Sequence, residues 1–482
     1  MLHELQKGYL ENELVDIVGR EYVLTDDADK LVYGLDYFWI PRMYIDRGKT
    51  PPFPDFIVLP ETTEEVARIV RIANIYRIPV IPWGGGSGSQ GGVTPIYGGI
   101  TIDLKRMNKL IDLNAETQTV CVQAGINGYD LEHELNRKGY TLGHIPASIH
   151  SATMGGYLAA RGSGVLSTKY GKMEDIVMTI EVVLPNGDII RTLPVPTHAS
   201  GPGILQVFVG AEGSYGIITE ATARIERLPE ERRFRAYLFK DFNSGLNACK
   251  EIILSRIQPS VLRLYDEPES KKQIKKILGT EVGEGCYMCF GIEGDKEIVD
   301  ILERRAVAIS EKFEGAELGN KAAWDWWNHR YNFYFPPKAL DFPWMFGTMD
   351  TLITFDKIET LYWTKKKLLE EKYAKWDLQY IAHLSHWFPW GAMIYDRFII
   401  ENPPWDPEEA LALHNEIWND AARASIKCGA VLNEHHGIGL KLGRLVREQY
   451  GPAFQVLETI KNGIDPQHIM NPGKMVFGPT HS

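Results

Sequence analysis

The densest glycine stretch of the chain is Trp83-Gly84-Gly85-Gly86-Ser87-Gly88-Ser89-Gln90-Gly91-Gly92, and it decides the fold. Glycine has no Cβ, so successive backbone N–H groups of such a loop can approach an anion. The Rossmann pattern needs Gly-x-Gly-x-x-Gly opening a helix, and the Walker pattern needs a Gly-Lys-Ser or Gly-Lys-Thr end. This loop has no lysine and runs into Val93-Thr94-Pro95, which cannot continue a helix. It therefore predicts an anion cradle and disfavours nicotinamide cofactors and ATP.

Strand and helix patterns surround this loop and predict a mixed α+β fold. Thr62-Thr63-Glu64-Glu65 has the capping-box pattern that opens a helix. Pro185-Asn186-Gly187-Asp188 lies between apolar runs and predicts a β-hairpin. The expected strands are residues 55–59, 79–82, 99–103, 118–123, 176–184, 189–192 and 216–225, and the expected helices are 62–76 and 128–138.

Chain length and a change in composition predict the domain organisation. The chain has 482 residues, and single cores stop growing near about 250 to 300 residues. Pro229 and the charged run Glu230-Glu231-Arg232-Arg233 precede a new series of helices and strands. We expect a first domain over residues 1–230, an inserted α+β cap over 231–430, and a C-terminal segment, 431–482, that returns to the first domain.

The charge balance limits the possible partners. A net charge of −11, from 52 Lys plus Arg and 63 Asp plus Glu, disfavours nucleic acid and anionic membranes, because both reward clustered positive charge. The chain contains no run of 18 apolar residues, and its N-terminus lacks the pattern of a signal peptide. We therefore expect a cytoplasmic homodimer without a transmembrane segment, which acts on a small molecule.

The five cysteines are few and scattered, which argues against a disulfide framework. Only Cys286 and Cys289 have metal-like spacing, and no second Cys or His pair follows at zinc-finger distance. Because their neighbours are typical of a strand, we expect buried strand cysteines and no metal site.

The segment 231–430 is dense in tryptophan. Prolines interrupt its stretch 324–346, which we expect to form a loop that lines a pocket rather than a helix. Such a pocket suggests an apolar or aromatic substrate.

Five further glycine motifs follow the first loop. They are Gly143-His144-Ile145-Pro146, Thr153-Met154-Gly155-Gly156, Arg161-Gly162-Ser163-Gly164, Tyr170-Gly171 and Glu212-Gly213-Ser214-Tyr215-Gly216-Ile217-Ile218. In this order they resemble the PCMH-type FAD-binding domain of the vanillyl-alcohol oxidase superfamily, and the resemblance extends over residues 50–475. Within the superfamily the chain resembles alkyldihydroxyacetonephosphate synthases most, then glycolate oxidase FAD subunits and D-lactate dehydrogenases.

This resemblance implies that FAD is the cofactor. Its diphosphate would lie against residues 82–89, and its ribityl chain and isoalloxazine beside residues 146–153. Backbone N–H groups and serine hydroxyls can neutralise a diphosphate without a metal or a lysine. In the glycine loop and the stretch 146–156, His150 is the only candidate for a covalent flavin link, and its neighbourhood resembles the non-covalent synthases, so we expect dissociable FAD. The expected cofactor residues are Pro82, Trp83, Gly84, Gly85, Gly86, Ser87, Gly88, Ser89, Pro146, Ser148, Ser151, Ala152, Thr153, Gly156, Ala160, Arg161, Ser163, Glu212, Gly213, Gly216, Ile217 and Ile218.

Titratable groups concentrate in three stretches nearer the C-terminus. These are His383-Leu384-Ser385-His386, Gly391-Ala392-Met393-Ile394-Tyr395 and Asn433-Glu434-His435-His436-Gly437-Ile438-Gly439. Glycines beside adjacent histidines keep side chains off the approach to them, and a neighbouring carboxylate can hold an imidazole in one tautomer.

We expect His436 to act as the base, assisted by His435 and oriented by Glu434, while Tyr395 and His386 position the substrate oxygen. The resemblance places Tyr395 where the synthases have their catalytic tyrosine. A phenol can act as a base if its pKa is lowered by its surroundings.

One stretch departs from the synthases, which hold the substrate's phosphate with an arginine. Here the equivalent residues are Phe335-Pro336-Pro337-Lys338, and lysine lacks the bidentate fork of arginine. We therefore expect oxidation of the C–OH of a hydroxy acid or of an aromatic or apolar alcohol, by hydride transfer to flavin N5. The alternative is non-redox formation of alkylglycerone phosphate, as in the synthases. The electron acceptor stays open, and the expected substrate residues are Lys338, Trp344, Trp387 and Arg397.

Overall fold

The computed structural model describes residues 4–279, 281–333 and 342–478. Their strands form sheets of four, five, two and seven strands, accompanied by α-helices. The strands are β1 (Val23–Leu24), β2 (Phe56–Val58), β3 (Val80–Trp83), β4 (Ile100–Asp103), β5 (Leu110–Asn114), β6 (Thr119–Gln123), β7 (Tyr140–Thr141), β8 (Val177–Val183), β9 (Ile189–Arg191), β10 (Ile217–Arg224), β11 (Glu226–Arg227), β12 (Glu231–Phe239), β13 (Val261–Tyr265), β14 (Cys286–Gly294), β15 (Ala316–Glu317), β16 (Met345–Thr354), β17 (Gln379–Phe388) and β18 (Gly391–Ile400). The helices are α1 (Glu4–Val18), α2 (Asp27–Val32), α3 (Trp39–Asp46), α4 (Thr63–Tyr76), α5 (Gly128–Arg137), α6 (Met154–Ala159), α7 (Ser167–Tyr170), α8 (Met173–Ile176), α9 (Leu205–Phe208), α10 (Phe242–Leu254), α11 (Glu267–Glu269), α12 (Lys275–Leu278), α13 (Lys296–Lys312), α14 (Gly319–Asn328), α15 (Ile358–Lys372), α16 (Pro407–Lys427), α17 (Gly439–Tyr450) and α18 (Phe454–Ile464).

The N-terminal half has two main sheets. One has the order β1-β2-β4-β3, with β4 parallel to both β2 and β3, and the other has the antiparallel order β5-β6-β10-β8-β9. Helix α4 begins as the capping pattern predicts, because the Thr62 side chain accepts a hydrogen bond from the Glu65 backbone N–H at 3.2 Å. Its apolar face packs into a core with Val80 and Val183, one residue from each sheet. The predicted mixed fold is confirmed.

The C-terminal half is built on the seven-stranded antiparallel sheet, in the order β15-β12-β14-β13-β17-β18-β16. Both Cys286 and Cys289 lie on β14 and are buried, so the prediction of buried strand cysteines is confirmed. The last described residues return to the first sheet, where the Val80 N–H donates to the Ile469 carbonyl and the Asn471 N–H donates to the Val80 carbonyl, both at 2.8 Å. The exact domain boundaries stay predictions.

The prediction of a loop over residues 324–346 is wrong at its start. Helix α14 carries Trp324, Trp326 and Trp327, and Trp326 is fully buried. A proline disrupts a helix only at its own position in the chain. The nearest prolines, Pro336 and Pro337, lie several residues beyond the end of α14. Among the described residues, no helix combines the length and the apolar character needed to cross a membrane.

Candidate active site

A long groove lies along the glycine loop. It is closed on one side by residues 144–163 and on another by residues 208–218. A Cβ built on Gly85 would lie 1.7 Å from the Ser151 carbonyl oxygen, and one on Gly84 would lie 2.4 Å from Thr153 Oγ1. The two glycines are therefore required for the loop to pack against the segment before α6.

The groove presents polar atoms that lack a partner among the described residues. These atoms are Asp36 Oδ2, Ser89 Oγ, the Tyr157 hydroxyl and both ring nitrogens of His144. Unpaired buried polar atoms are costly, so this set fits a polar ligand such as a flavin dinucleotide. Burial lowers the pKa of His144 to about 3 and raises the pKa of Asp36 to about 7, which keeps this wall of the groove nearly uncharged below neutral pH.

Nearly all of the predicted cofactor residues line the groove, and Ser151 and Arg161 are the two that do not. The Ser151 hydroxyl donates to the Ser148 carbonyl at 3.2 Å. Arg161 has a positive φ of 53°, and its Nε donates to the Val209 carbonyl at 3.0 Å, away from the groove. Glu212 lines the groove, but its carboxylate accepts the backbone N–H groups of Ile438 and Gly439, each at 2.8 to 2.9 Å.

Glu434 connects three of the other site side chains. Its Oε2 accepts hydrogen bonds from Ser163 Oγ at 2.8 Å and from the Nδ1 atoms of His386 and His435 at 2.8 and 2.7 Å. Lys172 Nζ lies 3.1 Å from Oε1. Burial would raise the pKa of Glu434, but His386 and Lys172 outweigh it and hold the pKa well below its usual range. Glu434 is therefore a buried carboxylate.

Asp350, on β16, lies beneath the loop that carries the two adjacent histidines. Its Oδ2 accepts the backbone N–H groups of Glu434, His435 and His436 at 3.0, 2.7 and 3.1 Å. Its Oδ1 lies 2.9 Å from Nδ1 of His436. Burial opposes ionisation of Asp350, but the two histidines outweigh it and lower its pKa.

Tyr395, on β18, faces the same space. Its ring stacks on His383 with centroids 4.8 Å apart and lies 5.4 Å from the ring of His436. Burial raises the pKa of Tyr395 to about 12, against an opposing effect of Arg397. The phenol is therefore protonated at neutral pH, and the lowered pKa that a basic role requires is not what this environment produces.

A second cavity opens beside the groove, and His435 and His436 line both. Among the described residues, the Lys, Arg, Asp and Glu side chains that line it are four basic ones and one carboxylate, Glu269. Glu269 pairs with Arg397 and lies 3.1 Å from Nδ1 of His383. The basic side chains are Arg263, Lys276, Arg330 and Arg397.

Arg330 has no carboxylate partner among the described residues, whereas Arg397 pairs with Glu269. Its Nη1 donates to the Trp327 carbonyl at 2.5 Å, its Nη2 donates to the Tyr331 hydroxyl at 3.2 Å, and its Nε has no partner there. Its guanidinium carbon lies 3.8 Å from the centroid of the Trp327 ring. Burial lowers its pKa, because the cation loses hydration and no carboxylate among the described residues offsets that loss.

The other predicted substrate residues lie in different places, some at the second cavity and one in the core. Trp344 and Arg397 line the second cavity. Trp387 lies in the core, where its Nε1 donates to the Leu262 carbonyl at 2.9 Å. A register shift between Leu384 and His386 on β17 breaks the strand's alternation, so that consecutive residues 385 and 386 line the cavity and residue 387 does not. Lys338 lies outside the described residues.

Two groups of side chains have ligand types and spacings that a metal ion could use, with ligand atoms within 4.8 Å of one another. They are Asp350 with His435 and His436, and Glu434 with His386 and His435. In both groups a carboxylate oxygen already accepts three hydrogen bonds, so the geometry is that of a hydrogen-bonded network. The absence of a metal site stays a prediction.

Two families match most of the chain. Residues 54–193 match the FAD binding domain, and residues 228–475 match the C-terminal domain of FAD linked oxidases. The chain belongs to the FAD-linked oxidase family. FAD is its cofactor, which confirms the prediction from the glycine motifs.

Several relatives of this FAD-linked oxidase are similar over most of their length. An alkyldihydroxyacetonephosphate synthase of Dictyostelium discoideum is 30% identical over 89% of this chain and 74% of its own. The glycolate oxidase subunit GlcD of Bacillus subtilis is 26% identical over 97% of this chain and 96% of its own. A solved structure of an alkyldihydroxyacetonephosphate synthase superposes with a TM-score of 0.82 at 26% identity, over 98% of this chain and 86% of its own.

Sequence reasoning missed several residues that the structure places at the site of this oxidase. His144 stands in a motif that was recognised, but nothing in the sequence showed that its ring would face the groove. Asp350, Glu269 and Arg330 stand in ordinary strand and helix contexts, with no local signal of function. Only their spatial neighbours reveal them.

Proposed function

We propose that this FAD-linked oxidase oxidises the C–OH group of a small hydroxy acid. The observation that carries the proposal is the basic second cavity, which shares the two adjacent histidines with the flavin groove. A carboxylate of the substrate would supply the counter-charge that the guanidinium of Arg330 lacks among the described residues. An uncharged aromatic or apolar alcohol would leave that cation buried and unpaired, which is costly.

When bound, FAD supplies the acceptor for the two electrons and the hydrogen that leave the substrate carbon. The groove residues would hold it, with residues 82–89 against the diphosphate, and His435 and His436 line the junction with the second cavity. In this proposal His436 takes the hydroxyl proton of the substrate. His435 is neutral there, because burial and His436 lower its pKa to about 4.

Tyr395 acts in this proposal as a hydrogen-bond donor to the substrate oxygen. Its pKa of about 12, raised by burial, keeps the proton on the phenol at neutral pH. His386 lines the second cavity, and because Glu434 binds its Nδ1, Nε2 is the ring nitrogen left to contact the substrate oxygen.

We further propose that FAD is held without a covalent bond, since exposed His150 does not line the groove. The cytoplasmic location and the homodimer stay predictions.

A second candidate is a non-redox reaction like that of the alkyldihydroxyacetonephosphate synthases named above. Their similarity over most of this chain favours it, and the basic cavity would also accept a phosphate. Against it, the resemblance implies that Lys338 stands where the synthases hold the phosphate with an arginine.

An anaerobic reduction screen of the holoenzyme separates the two candidates. We expect small 2-hydroxy acids to bleach the visible absorbance of the flavin, while benzylic alcohols do not. Re-oxidation in air then distinguishes an oxidase from a dehydrogenase. If no hydroxy acid bleaches the flavin and an acyl-dihydroxyacetonephosphate forms a covalent flavin adduct, the synthase reaction is correct.

A further inference from the structure

We propose that Asp350 is the positioning residue of His436: it sets the tautomer that leaves Nε2 of His436 free to take the substrate proton. The inference rests on the proposed function for its catalytic consequence. Its structural content, the state of one imidazole, holds whatever the substrate is.

Asp350 fixes the backbone of the loop that carries His436. One carboxylate oxygen accepts three successive backbone N–H groups, from residues 434 to 436. The His436 N–H is also bound by Asn433 Oδ1 at 3.0 Å. The main chain on the N-terminal side of the ring is thus fixed from β16, a strand of the large sheet. This holds the histidine relative to a rigid element rather than to a mobile loop.

The two carboxylates contact different imidazoles most closely, and His435 Nδ1 lies 3.2 Å from Asp350 Oδ2 but nearer to Glu434. Glu434 Oε2 is used by Nδ1 of His386 and Nδ1 of His435. His436 instead has its Nδ1 at 2.9 Å from Asp350 Oδ1. That contact has ion-pair distance without the alignment of a linear hydrogen bond, and catalytic hydrogen bonds commonly tighten only when substrate is bound. Asp350, and not Glu434, is therefore the carboxylate that orients His436.

The carboxylate of Asp350 also determines which nitrogen of the His436 ring carries the proton. A neutral imidazole carries its proton on one nitrogen, and a carboxylate beside Nδ1 favours the proton there. Nε2 is then an acceptor, which is what a base needs. In the part of the chain that the structure describes, the titratable groups in contact with the His436 ring are Asp350 from β16, Tyr395 from β18, and His435 of the same loop. Tyr395 is protonated and His435 is neutral, so Asp350 is the one negative charge among them.

The test has an arm that needs no substrate. Holoenzyme labelled with ¹⁵N-histidine is studied by long-range ¹H–¹⁵N NMR, with His436 assigned by loss of its signals in His436→Gln. We expect the Nδ1–H tautomer in the wild type and in Asp350→Glu, and loss of this preference in Asp350→Asn. If wild-type His436 carries its proton on Nε2, the proposal is overturned, whether or not the Asp350 variants fold.

The second arm measures anaerobic flavin reduction by the hydroxy acid found in the screen. We expect Asp350→Asn to lower the limiting rate by on the order of 10² to 10⁴ with little change in substrate affinity, and Asp350→Glu to restore most of it. A purely structural Asp350 would predict an unchanged rate and tautomer in Asp350→Asn, because the amide oxygen still accepts the backbone N–H groups. That result would overturn the proposal.

Glu303→Gln is the matched control. Glu303 is a buried carboxylate that accepts hydrogen bonds from Arg233 and Arg235, and it lines neither cavity. It should change neither the tautomer nor the limiting rate of reduction. If no hydroxy acid reduces the flavin, the proposed function fails, and the NMR arm still decides the role of Asp350.

Discussion

The flavin groove and the basic cavity share two histidines but are built in opposite ways. The groove is formed by backbone and small residues from a few continuous stretches, and its unpaired atoms belong to groups such as His144 and Tyr157. The basic cavity is lined by side chains from separate strands and helices, and its charged ones include Arg263, Arg330 and Arg397. On the proposed function, shape and neutral hydrogen bonds would hold the cofactor, whereas charge would select the substrate.

This difference shows where sequence change is tolerated. A groove made by close backbone approach accepts no added atom, because its neighbours are other backbone atoms. A cavity lined by flexible charged side chains can change its specificity through single substitutions without loss of the cofactor. The following predictions test that separation.

The largest effect is expected from Gly85→Ala, which adds one methyl group to the groove. The new Cβ would stand 1.7 Å from the Ser151 carbonyl oxygen, so the glycine loop must move from its place. Overpacking of this kind costs about 1 to 3 kcal/mol or more. We expect FAD occupancy, measured by absorbance after gel filtration, to fall at least about tenfold.

The control for this change is Gly463→Ala on α18, where an added Cβ meets nothing within 4 Å. It should retain FAD at the wild-type level. Equal loss of FAD in both variants would show that the groove's shape is not what retains the cofactor.

Arg330→Met should affect the cavity and spare the groove. A hydrogen bond to a charged group contributes about 1.5 to 3 kcal/mol, so we expect the KM for the hydroxy acid to rise about ten- to hundredfold. FAD content and thermal stability should stay near wild type. Lys276→Met, which changes an exposed lysine at the same cavity, is the comparison and should change KM much less. An unchanged KM for Arg330→Met would remove the carboxylate role of this arginine.

Tyr395→Phe distinguishes a hydrogen-bond donor from a base. Loss of one hydrogen bond costs about 0.5 to 1.5 kcal/mol, so we expect the limiting rate of flavin reduction to fall about tenfold or less. The decrease should be the same from pH 6 to pH 9, because the pKa of about 12 keeps the phenol protonated throughout. A loss of several orders of magnitude would instead support a basic role.

The smallest effect is expected from Asp36→Asn, through the pH dependence of stability. Burial raises the pKa of Asp36 to about 7 in the folded protein, from the model-peptide value of 3.8. The folded state is therefore penalised progressively as pH rises from about 4 to 7, and the penalty is absent below that range. The amide carries no such penalty, and its NH₂ can take the place of the unpaired Oδ2.

We accordingly expect the Tm of Asp36→Asn to exceed that of the wild type at pH 8 by a few degrees, about 4 to 8 °C per kcal/mol in a small domain and less in a chain of this length. The two melting curves should converge near pH 4. A difference that grows towards acid pH would contradict the assignment of a raised pKa.

The sequence by itself determined the fold class, the cofactor and most of the groove. The glycine motifs were sufficient because each demands a local backbone conformation or close approach, which a short stretch of residues encodes. For the same reason the start of α4 and the hairpin at residues 185–188 were predicted correctly. Arg161 stands in a recognised motif, but its side chain bonds to Val209 rather than lining the groove, a contact that depends on a segment far along the chain.

Only the tertiary structure decided which carboxylates and histidines of the active site are hydrogen-bonded to one another. We expected Glu434 to orient His436, but its carboxylate is hydrogen-bonded to His386 and His435. The carboxylate beside His436 is Asp350, which lies on a strand more than eighty residues earlier in the chain. A one-residue register shift on β17 places the Trp387 side chain in the core rather than at the cavity. Such contacts follow from strand register and from the packing of distant segments, and neither is encoded in the local sequence around a functional residue.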